Sequence, residues 1–350
     1  MELILKHLDY CKVVTKKPEV SWSTENEVLF KIGLCKLRRF KPFNNGLPIL
    51  ILPPNAGHHS SLADYSSTQS LVRLLQQHGF DVYVIEWLTA TDYYKDIGIE
   101  DYIYYTDKAV NKIRSLSNYD KVSLIGQCQG GWQASIYTSL FNEKVDKLVV
   151  GASPIDFKHE RGFMNDLIDY LPYSFYKYLV SLGNGIMKGD FIVTGFKNAN
   201  YIDNYITKYL KLWRMILEED KKGVERFSEF NDWYEYTQDL PGRFYLEVID
   251  KIFKRNGMVN PGTIKIKNTP VDLKNINRPL ILITGKKDDI TPPGQCNAMA
   301  LHVSTPKDNI KFLSADGGHI GTLMGRSALK NQWNQIAKLL KTYNAFSFLA

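Results

Sequence analysis

Cys128 stands between closely spaced glycines in the segment GQCQG, residues 126–130. The apolar run 121–126 predicts a strand that leads into this segment, and residues 132–141 predict a helix that follows it. A cysteine in such a turn lies at a helix N-terminus, where the helix dipole and free N–H groups stabilise a thiolate. Glycines suit the turn because larger flanking side chains would clash. The segment alone leaves open whether Cys128 is a nucleophile or a packed thiol.

An acid and a histidine follow two later predicted strands. The run LILITG precedes Asp288 and Asp289, and the run IKFLSA precedes a glycine-rich segment that contains His319. Nucleophile, acid and histidine, in that order and each after a strand, form the pattern of an α/β-hydrolase triad. His319 is therefore expected to act as general base toward Cys128, with one aspartate orienting its ring. Chemistry alone does not separate Asp288 from Asp289.

The loop PPNAGHHSS, residues 53–61, follows an earlier predicted strand at the same sheet edge. An oxyanion hole is expected from the backbone N–H of Gln129 together with that of Asn55 or Ala56. Two adjacent histidines in this loop have the chemistry of metal ligands, but no acidic residue accompanies them, so we predict no metal site. The side chains expected to border the pocket are those of His58, His59, Trp132 and Asp289.

Short apolar runs alternate with helical segments in both terminal parts of the chain. This alternation predicts a mostly parallel sheet with helices on both faces, and residues 26–40 predict a leading antiparallel hairpin. The predicted strands are 47–54, 81–87, 121–126, 145–153, 278–285 and 310–315, and the predicted helices are 70–79, 99–117, 132–141, 294–303 and 328–343. The predicted fold class is therefore α/β, with the α/β-hydrolase arrangement.

Residues 156–269 interrupt this alternation with a stretch that is rich in Tyr, Phe and Trp and predicts helices. An insertion of this kind is typical of a cap over the carboxyl edge of the sheet. The predicted organisation is a hydrolase core in two parts, residues 1–155 and 270–350, with a helical cap between them. The cap contains the aromatic residues Trp213, Trp233 and Tyr236. They could line an acyl tunnel or form the hydrophobic core of the cap, and the second interpretation is favoured.

Composition excludes several classes of protein. The 350 residues include 44 Lys and Arg against 37 Asp and Glu, a net charge of +7 that suits a phosphate-bearing ligand such as coenzyme A. No concentrated basic stretch indicates nucleic-acid binding. The apolar runs are too short for a signal peptide or a membrane span, so we expect a cytoplasmic protein. The few unclustered cysteines disfavour a disulfide scaffold; they are Cys11, Cys35, Cys128 and Cys296.

Motifs along nearly the whole chain resemble the poly(3-hydroxyalkanoate) synthases, especially the short catalytic subunits of the two-subunit type. By this resemblance the family's nucleophile, acid and base correspond to Cys128, Asp288 and His319. The sequence departs from the family at Asp289, where a histidine is usual, and at Trp132, where a smaller residue is usual. The matching stretches are QSLVRLLQQHGFDVYVIEW, DYIYYTDKAV, VSLIGQCQGG, GASPIDF, DLPGRFYLEVIDKIFKRNGMV, VDLKNINRPLILITGKKDDITPP and GGHIGTLMG.

The resemblance implies an acyltransferase that forms a Cys128 thioester from 3-hydroxyacyl-CoA and passes the acyl group to a hydroxyl. It implies acyl-CoA as substrate and no cofactor. It also implies that the chain could bind a second synthase subunit or the surface of a polyester granule, or form a homodimer. One alternative is a thiol hydrolase of esters, thioesters or polyhydroxyalkanoate, which the polar loop and Asp289 favour. Another is a non-catalytic subunit that binds granules or a partner.

Overall fold

Eight strands form the central sheet of the computed structural model, which describes residues 1–43, 45–199 and 201–342. The strands lie at or close to the positions that the apolar runs predict. Their bounds are β1 Asn26–Ile32, β2 Cys35–Phe40, β3 Pro48–Leu52, β4 Asp81–Trp87, β5 Val122–Gln127, β6 Val145–Gly151, β7 Leu280–Gly285 and β8 Ile310–Ala315.

The strands lie in the order β1-β2-β4-β3-β5-β6-β7-β8. β1 pairs with β2, and β2 with β4, in antiparallel fashion, while all other neighbours are parallel. The predicted antiparallel hairpin and the mostly parallel sheet are therefore confirmed. Because β3, β5, β6, β7 and β8 run in one direction, the loops that follow them meet at one edge of the sheet.

The inner strands are buried on both faces, which explains their continuous apolar sequences. In β3, Leu50 and Leu52 belong to one hydrophobic cluster, whereas Ile49 and Ile51 belong to another on the opposite face. This alternation follows from the two-residue period of a strand, and helices cover each face. The helices that surround the two terminal parts of the sheet are α2 Leu71–Gln77, α3 Ile99–Leu116, α4 Gln129–Leu140, α11 Pro293–Asn297, α12 His319–Met324, α13 Arg326–Ala328 and α14 Asn334–Thr342.

The chain between β6 and β7 is largely helical. A π-helical segment, Val248–Lys254, continues its last α-helix, and another, Asp203–Thr207, precedes α8. The α-helices of this region are α5 Phe163–Tyr170, α6 Tyr173–Leu182, α7 Gly189–Ala199, α8 Lys208–Leu217, α9 Lys221–Glu235 and α10 Gly242–Glu247.

Both ends of the chain differ from the sequence-based expectation. Residues Glu2–Thr15 form a helix, α1, that the short apolar patch did not predict. Its His7 and Tyr10 rings pack edge-on against Trp213 of α8, a tertiary contact that sequence periodicity does not reveal. The predicted last helix is interrupted by a π-helical segment, Leu329–Trp333, and its expected end at Tyr343 lies outside the described residues. Among the described helices, none is both long and apolar enough to cross a membrane.

Candidate active site

Cys128 occupies a strained turn between β5 and α4. Its backbone has φ 52° and ψ −117°, a conformation that residues with a side chain rarely adopt. The amide of Cys128 donates to the carbonyl of Gly151 on neighbouring β6, at 2.8 Å, which fixes the turn against the sheet. Backbone strain of this kind costs about 1–3 kcal/mol and is concentrated at functional sites. The turn holds the half-buried thiol at the sheet edge.

The glycines around Cys128 are required by close backbone approach. A Cβ atom at Gly126 would lie 2.3 Å from the carbonyl oxygen of Gly130. A Cβ atom at Gly130 would lie 1.8 Å from the carbonyl oxygen of Leu52 on β3. Both distances are far below van der Waals contact with rigid backbone atoms, so helix α4 approaches the sheet only because these residues lack side chains.

Gly130→Ala is expected to lower the free energy of unfolding by about 1–3 kcal/mol, since the added methyl group must displace α4 from β3. Denaturant titration measures this change. The matched control is Gly195→Ala in α7, where an added Cβ meets nothing within 4 Å. That substitution should raise stability slightly, because alanine favours a helix over glycine. An equal effect of the two substitutions would contradict the close-approach explanation.

Asp288, and not Asp289, contacts the imidazole of His319. The Nδ1 of His319 lies 2.8 Å from the Oδ2 of Asp288. The other carboxylate oxygen, Oδ1, accepts from the backbone amides of Ile290 at 3.1 Å and Thr291 at 2.8 Å. Asp288 is 4% exposed, whereas the side chain of Asp289 faces solvent. The carboxylate of Asp288 is thus held in one orientation and fixes the ring of His319.

The Cys128 side chain lies close enough to His319 to act on its imidazole. Since Nδ1 faces Asp288, the nitrogen left for the thiol is Nε2. Burial of the imidazole lowers its pKa, but the negative charges of Asp288 and of the Cys128 sulfur outweigh burial and raise the pKa of His319 well above its usual value. An imidazole placed between the Cys128 sulfur and the Asp288 carboxylate can move a proton to and from sulfur.

The candidate oxyanion-hole residues come from the start of α4 and from the loop after β3. Gln129 is the first residue of α4, so its amide precedes the helical hydrogen-bond pattern. Ala56 borders both cavities that reach Cys128. The Asn55 side chain is turned away, because its Nδ2 donates to the buried hydroxyl of Tyr102 at 2.8 Å. The 55–56 segment therefore offers its backbone amides, and not the Asn55 side chain, as candidate donors.

The cavities meet at Cys128. The larger has a volume of about 410 Å³ and the smaller about 280 Å³, and Ala56, Cys128, Phe196 and Ile290 border both. His319 borders only the smaller one. The larger cavity extends under α5, α6 and α7 and the π-helical segment 248–254, with Met164, Leu167, Leu179, Phe191, Ile192 and Ile249 among its lining residues.

Two of the expected pocket residues border the smaller cavity and two lie elsewhere. His58 and Asp289 line the smaller cavity. The ring of His58 stacks on Trp233, with centroids 4.9 Å apart, and burial lowers its pKa to about 4, so the ring is neutral near pH 7. Trp132 does not border either cavity. It is fully buried, and its ring is stacked with that of Phe244 in the core, with centroids 6.3 Å apart. The position of residue 132 on α4 explains this correction, since its indole faces Phe244 of α10 instead of a cavity.

His59 is the second correction, because it contacts the sheet instead of a cavity. Its Nδ1 accepts from the amide of Ser61 at 3.1 Å, and its Nε2 lies 3.6 Å from the carboxylate of Glu86 on β4. Arg38 of β2 contacts the same carboxylate. Burial raises the pKa of Glu86, but hydrogen bonds from His59 and Arg38 outweigh burial and lower that pKa from 4.5 to about 2. His59 thus belongs to a buried ion cluster.

Glu86→Gln should destabilise the protein at pH 7 by about 2 kcal/mol, since solvent screens part of the interaction and the cations lose their partner. A depressed carboxylate pKa stabilises the fold above pH 4.5 and loses that contribution as pH falls toward 2. The stability difference between wild type and Glu86→Gln should therefore shrink across this window. Urea unfolding at stepped pH measures it, and a difference independent of pH would contradict the assigned cluster.

Of the three cap aromatics, one borders a cavity. Trp233 lines the smaller cavity and donates from Nε1 to the carbonyl of His59 at 2.9 Å. Trp213 packs against α1, and Tyr236 contacts the His59 ring edge-on, with centroids 5.8 Å apart. The apolar residues of α5, α6 and α7 that line the larger cavity were not identified from the sequence, because cavity-facing and core-facing leucines have the same periodicity.

Cys35 and Cys296 are buried thiols that are not activated as nucleophiles. Burial raises the pKa of Cys296 to about 12 and that of Cys35 above its usual range, so both thiols are protonated near neutral pH. Within residues 1–43, 45–199 and 201–342, no three His, Cys, Asp or Glu side chains cluster as metal ligands.

Comparison with known protein families assigns the chain to one of them. The model of the family described as Protein of unknown function (DUF3141) matches residues 38–344. The chain belongs to the DUF3141 family. The match extends from β2 to the end of the described residues, so it includes the Cys128 turn, Asp288 and His319.

This DUF3141 chain is similar to poly(3-hydroxyalkanoate) polymerase subunits named PhaC, which confirms the resemblance seen in the sequence. It is 26% identical to the subunit from Haloferax mediterranei over 90% of this chain and 63% of that protein. It is 26% identical to the subunit from Haloarcula marismortui, over 79% of this chain and 57% of that protein. It is 28% identical to the subunit from Allochromatium vinosum, over 80% of this chain and 76% of that protein. The chain thus spans less than two thirds of the length of the two archaeal relatives.

Solved structures confirm the predicted α/β-hydrolase fold of this family member. A monoacylglycerol lipase from Paleococcus ferrophilus superposes with a TM-score of 0.52 and 16% identity, covering 84% of this chain and 95% of the lipase. The mouse alpha/beta hydrolase domain-containing protein 10 gives a TM-score of 0.52 and 13% identity, covering 91% and 99% of the two chains. At these identities the similarity concerns the fold.

Proposed function

We propose that this DUF3141 protein is an acyltransferase that carries its acyl group as a thioester on Cys128. The observation that supports the proposal most is that His319, hydrogen-bonded to Asp288, borders the same cavity as Cys128 and interacts with its side chain. The relatives named as poly(3-hydroxyalkanoate) polymerase subunits point to 3-hydroxyacyl-CoA as the acyl donor. The helical region 156–269 is proposed as the cap over this site.

In the first step, His319 takes the proton of the Cys128 thiol and the sulfur attacks the thioester carbonyl of acyl-CoA. The carbonyl oxygen becomes an oxyanion that the backbone amides of Gln129 and of Ala56 or Asn55 stabilise. The intermediate collapses by breaking the bond to the CoA sulfur, which leaves with the proton from His319. The acyl group remains on Cys128, and because one thioester replaces another, the step is nearly isoenergetic.

In the second step, His319 removes the proton of an incoming hydroxyl group, whose oxygen attacks the Cys128 thioester. The bond between carbonyl carbon and sulfur breaks, the thiol regains its proton from His319, and an ester is released. Asp288 stabilises the imidazolium in both steps and keeps Nδ1 protonated. Repetition with the hydroxyl of a growing 3-hydroxyacyl chain would produce a polyester.

Hydrolysis is the second candidate function, because the lining of the smaller cavity includes charged side chains that are open to solvent. Lys287 and Asp289 border it, and both are exposed to solvent. Water that enters beside His319 would take the place of the hydroxyl in the second step and release a free acid.

Product analysis with purified protein and 3-hydroxyacyl-CoA tests the proposal. Release of CoA thiol together with polymer or ester supports acyl transfer, whereas free hydroxy acid as the sole product indicates a hydrolase. A parallel reaction with added cell extract tests whether a second subunit is required, as the name polymerase subunit suggests for the relatives. No thiol release in either reaction would contradict both functions.

A further inference from the structure

The position of His319 assigns the two cavities to different parts of the substrates. A general base must lie within hydrogen-bond distance of the groups whose protons it moves, here the CoA sulfur and the incoming hydroxyl. His319 borders the smaller cavity and not the larger one. The leaving and entering groups therefore use the smaller cavity. The acyl chain exchanges no proton, so it is assigned to the larger cavity, which also borders Cys128.

The linings of the cavities agree with this division. The smaller cavity is bordered by Lys287, Asp289, His58 and His319, whereas the larger one has no charged residue among its described lining residues. A pantetheine arm or a hydroxyl finds polar partners in the smaller cavity. The surface of the larger cavity is mainly apolar. A polyester carries a carbonyl in every repeat, and burying such dipoles unpaired against an apolar surface is unfavourable. An alkyl chain has no such cost.

The size of the larger cavity indicates the length of that chain. An engineered apolar cavity of about 150 Å³ in another protein holds a benzene molecule. The cavity beside Cys128, at about 410 Å³, is well over twice as large. From its position, lining and volume we infer that the larger cavity binds the alkyl chain of long 3-hydroxyacyl-CoA substrates, of about ten carbons. This inference rests on the proposed acyl transfer through Cys128.

Helix α6 offers a matched pair of substitutions. Leu179 is half-buried and lines the larger cavity, whereas Leu182, one turn further along, is 56% exposed and borders neither cavity. Leu179→Trp places an indole in the space assigned to the chain. Leu182→Trp makes the same change on the outer surface. If Leu179→Trp does not fold, Leu179→Phe is the substitute.

Acylation of Cys128 is followed by CoA release with 3-hydroxybutyryl-CoA, 3-hydroxydecanoyl-CoA and the CoA thioester of a 3-hydroxybutyrate trimer. The wild type should react with the decanoyl substrate about tenfold or more faster than with the butyryl one, because the additional methylenes become buried. Leu179→Trp should lower the acylation rate with 3-hydroxydecanoyl-CoA about tenfold and should change the rate with 3-hydroxybutyryl-CoA little. Leu182→Trp should leave both rates unchanged.

Equal or faster acylation of the wild type by 3-hydroxybutyryl-CoA would overturn the inference and leave the proposed function intact. A trimer that reacts as fast as the decanoyl substrate would overturn it in favour of a polyester chain in the larger cavity. A Leu179→Trp protein that keeps its decanoyl rate would show that the chain lies elsewhere. Failure of all three thioesters to acylate Cys128 would overturn the proposed function itself.

Discussion

Cys128→Ala should reduce CoA release from 3-hydroxyacyl-CoA by about 10⁴-fold or more, since loss of a covalent nucleophile removes the whole two-step route. The residual rate should come from binding and the oxyanion donors alone. Cys128→Ser should also be strongly impaired, because His319 must then activate an alcohol, and the resulting ester lies lower in energy than the thioester. The measurement is the initial rate of thiol release under saturating substrate.

Cys11→Ala is the matched control, because Cys11 is a half-buried thiol on α1 that contacts His7 and borders neither cavity. Its activity should equal that of the wild type. Thermal unfolding of each variant should show that the fold is retained. If Cys128→Ala kept a substantial fraction of the wild-type rate, the acyl group would not pass through this sulfur and the proposed mechanism would be wrong.

Asp288→Asn should lower the rate of acyl transfer by about 10⁴-fold, because an amide at this position leaves His319 in the wrong tautomer and removes the charge that stabilises the imidazolium. Asp289→Asn should change kcat by about twofold or less, since the exposed Asp289 carboxylate does not hold the His319 ring, and any further effect should lie in KM. Steady-state kinetics should place the loss for Asp288→Asn in kcat, because the carboxylate stabilises a charge that develops during reaction.

This adjacent pair provides its own control, since the two substitutions change the same charge at neighbouring positions. In Asp288→Asn the pKa of His319 should also fall, because the Asp288 carboxylate helps to raise it. NMR titration of the imidazole measures that shift independently of activity. A larger kinetic loss for Asp289→Asn than for Asp288→Asn would contradict the assignment.

The sequence predicted where most strands lie along the chain and the approach of Cys128, a following aspartate and His319, because these patterns are local. Buried parallel strands appear as continuous apolar runs, and the residues after their carboxyl ends must share one sheet edge. Asp288 and Asp289 both satisfy that rule. The family resemblance pointed to Asp288, and the structure gives the physical reason: the amides of Ile290 and Thr291 orient its carboxylate toward His319.

Long-range packing accounts for what the sequence did not predict. Trp132 and His59 lie near the site in the chain, yet the contact with Phe244 and the ion cluster around Glu86 direct them elsewhere. The larger cavity is formed by helices α5, α6 and α7 together with residues 248–254, and no local pattern distinguishes a leucine that lines a cavity from one that fills a core. Helix α1 likewise packs against a distant part of the chain, at Trp213, and the local sequence does not reveal that contact.

Peptide mass spectrometry after a short incubation with 3-hydroxyacyl-CoA is the most direct test of the central claim. The peptide that contains Cys128 should gain the mass of the acyl group, lose it on treatment with hydroxylamine, and remain unmodified in Cys128→Ala. CoA release that proceeds at the wild-type rate with the acyl mass on another residue, or with no acyl-enzyme in any rapidly quenched sample, would contradict the account.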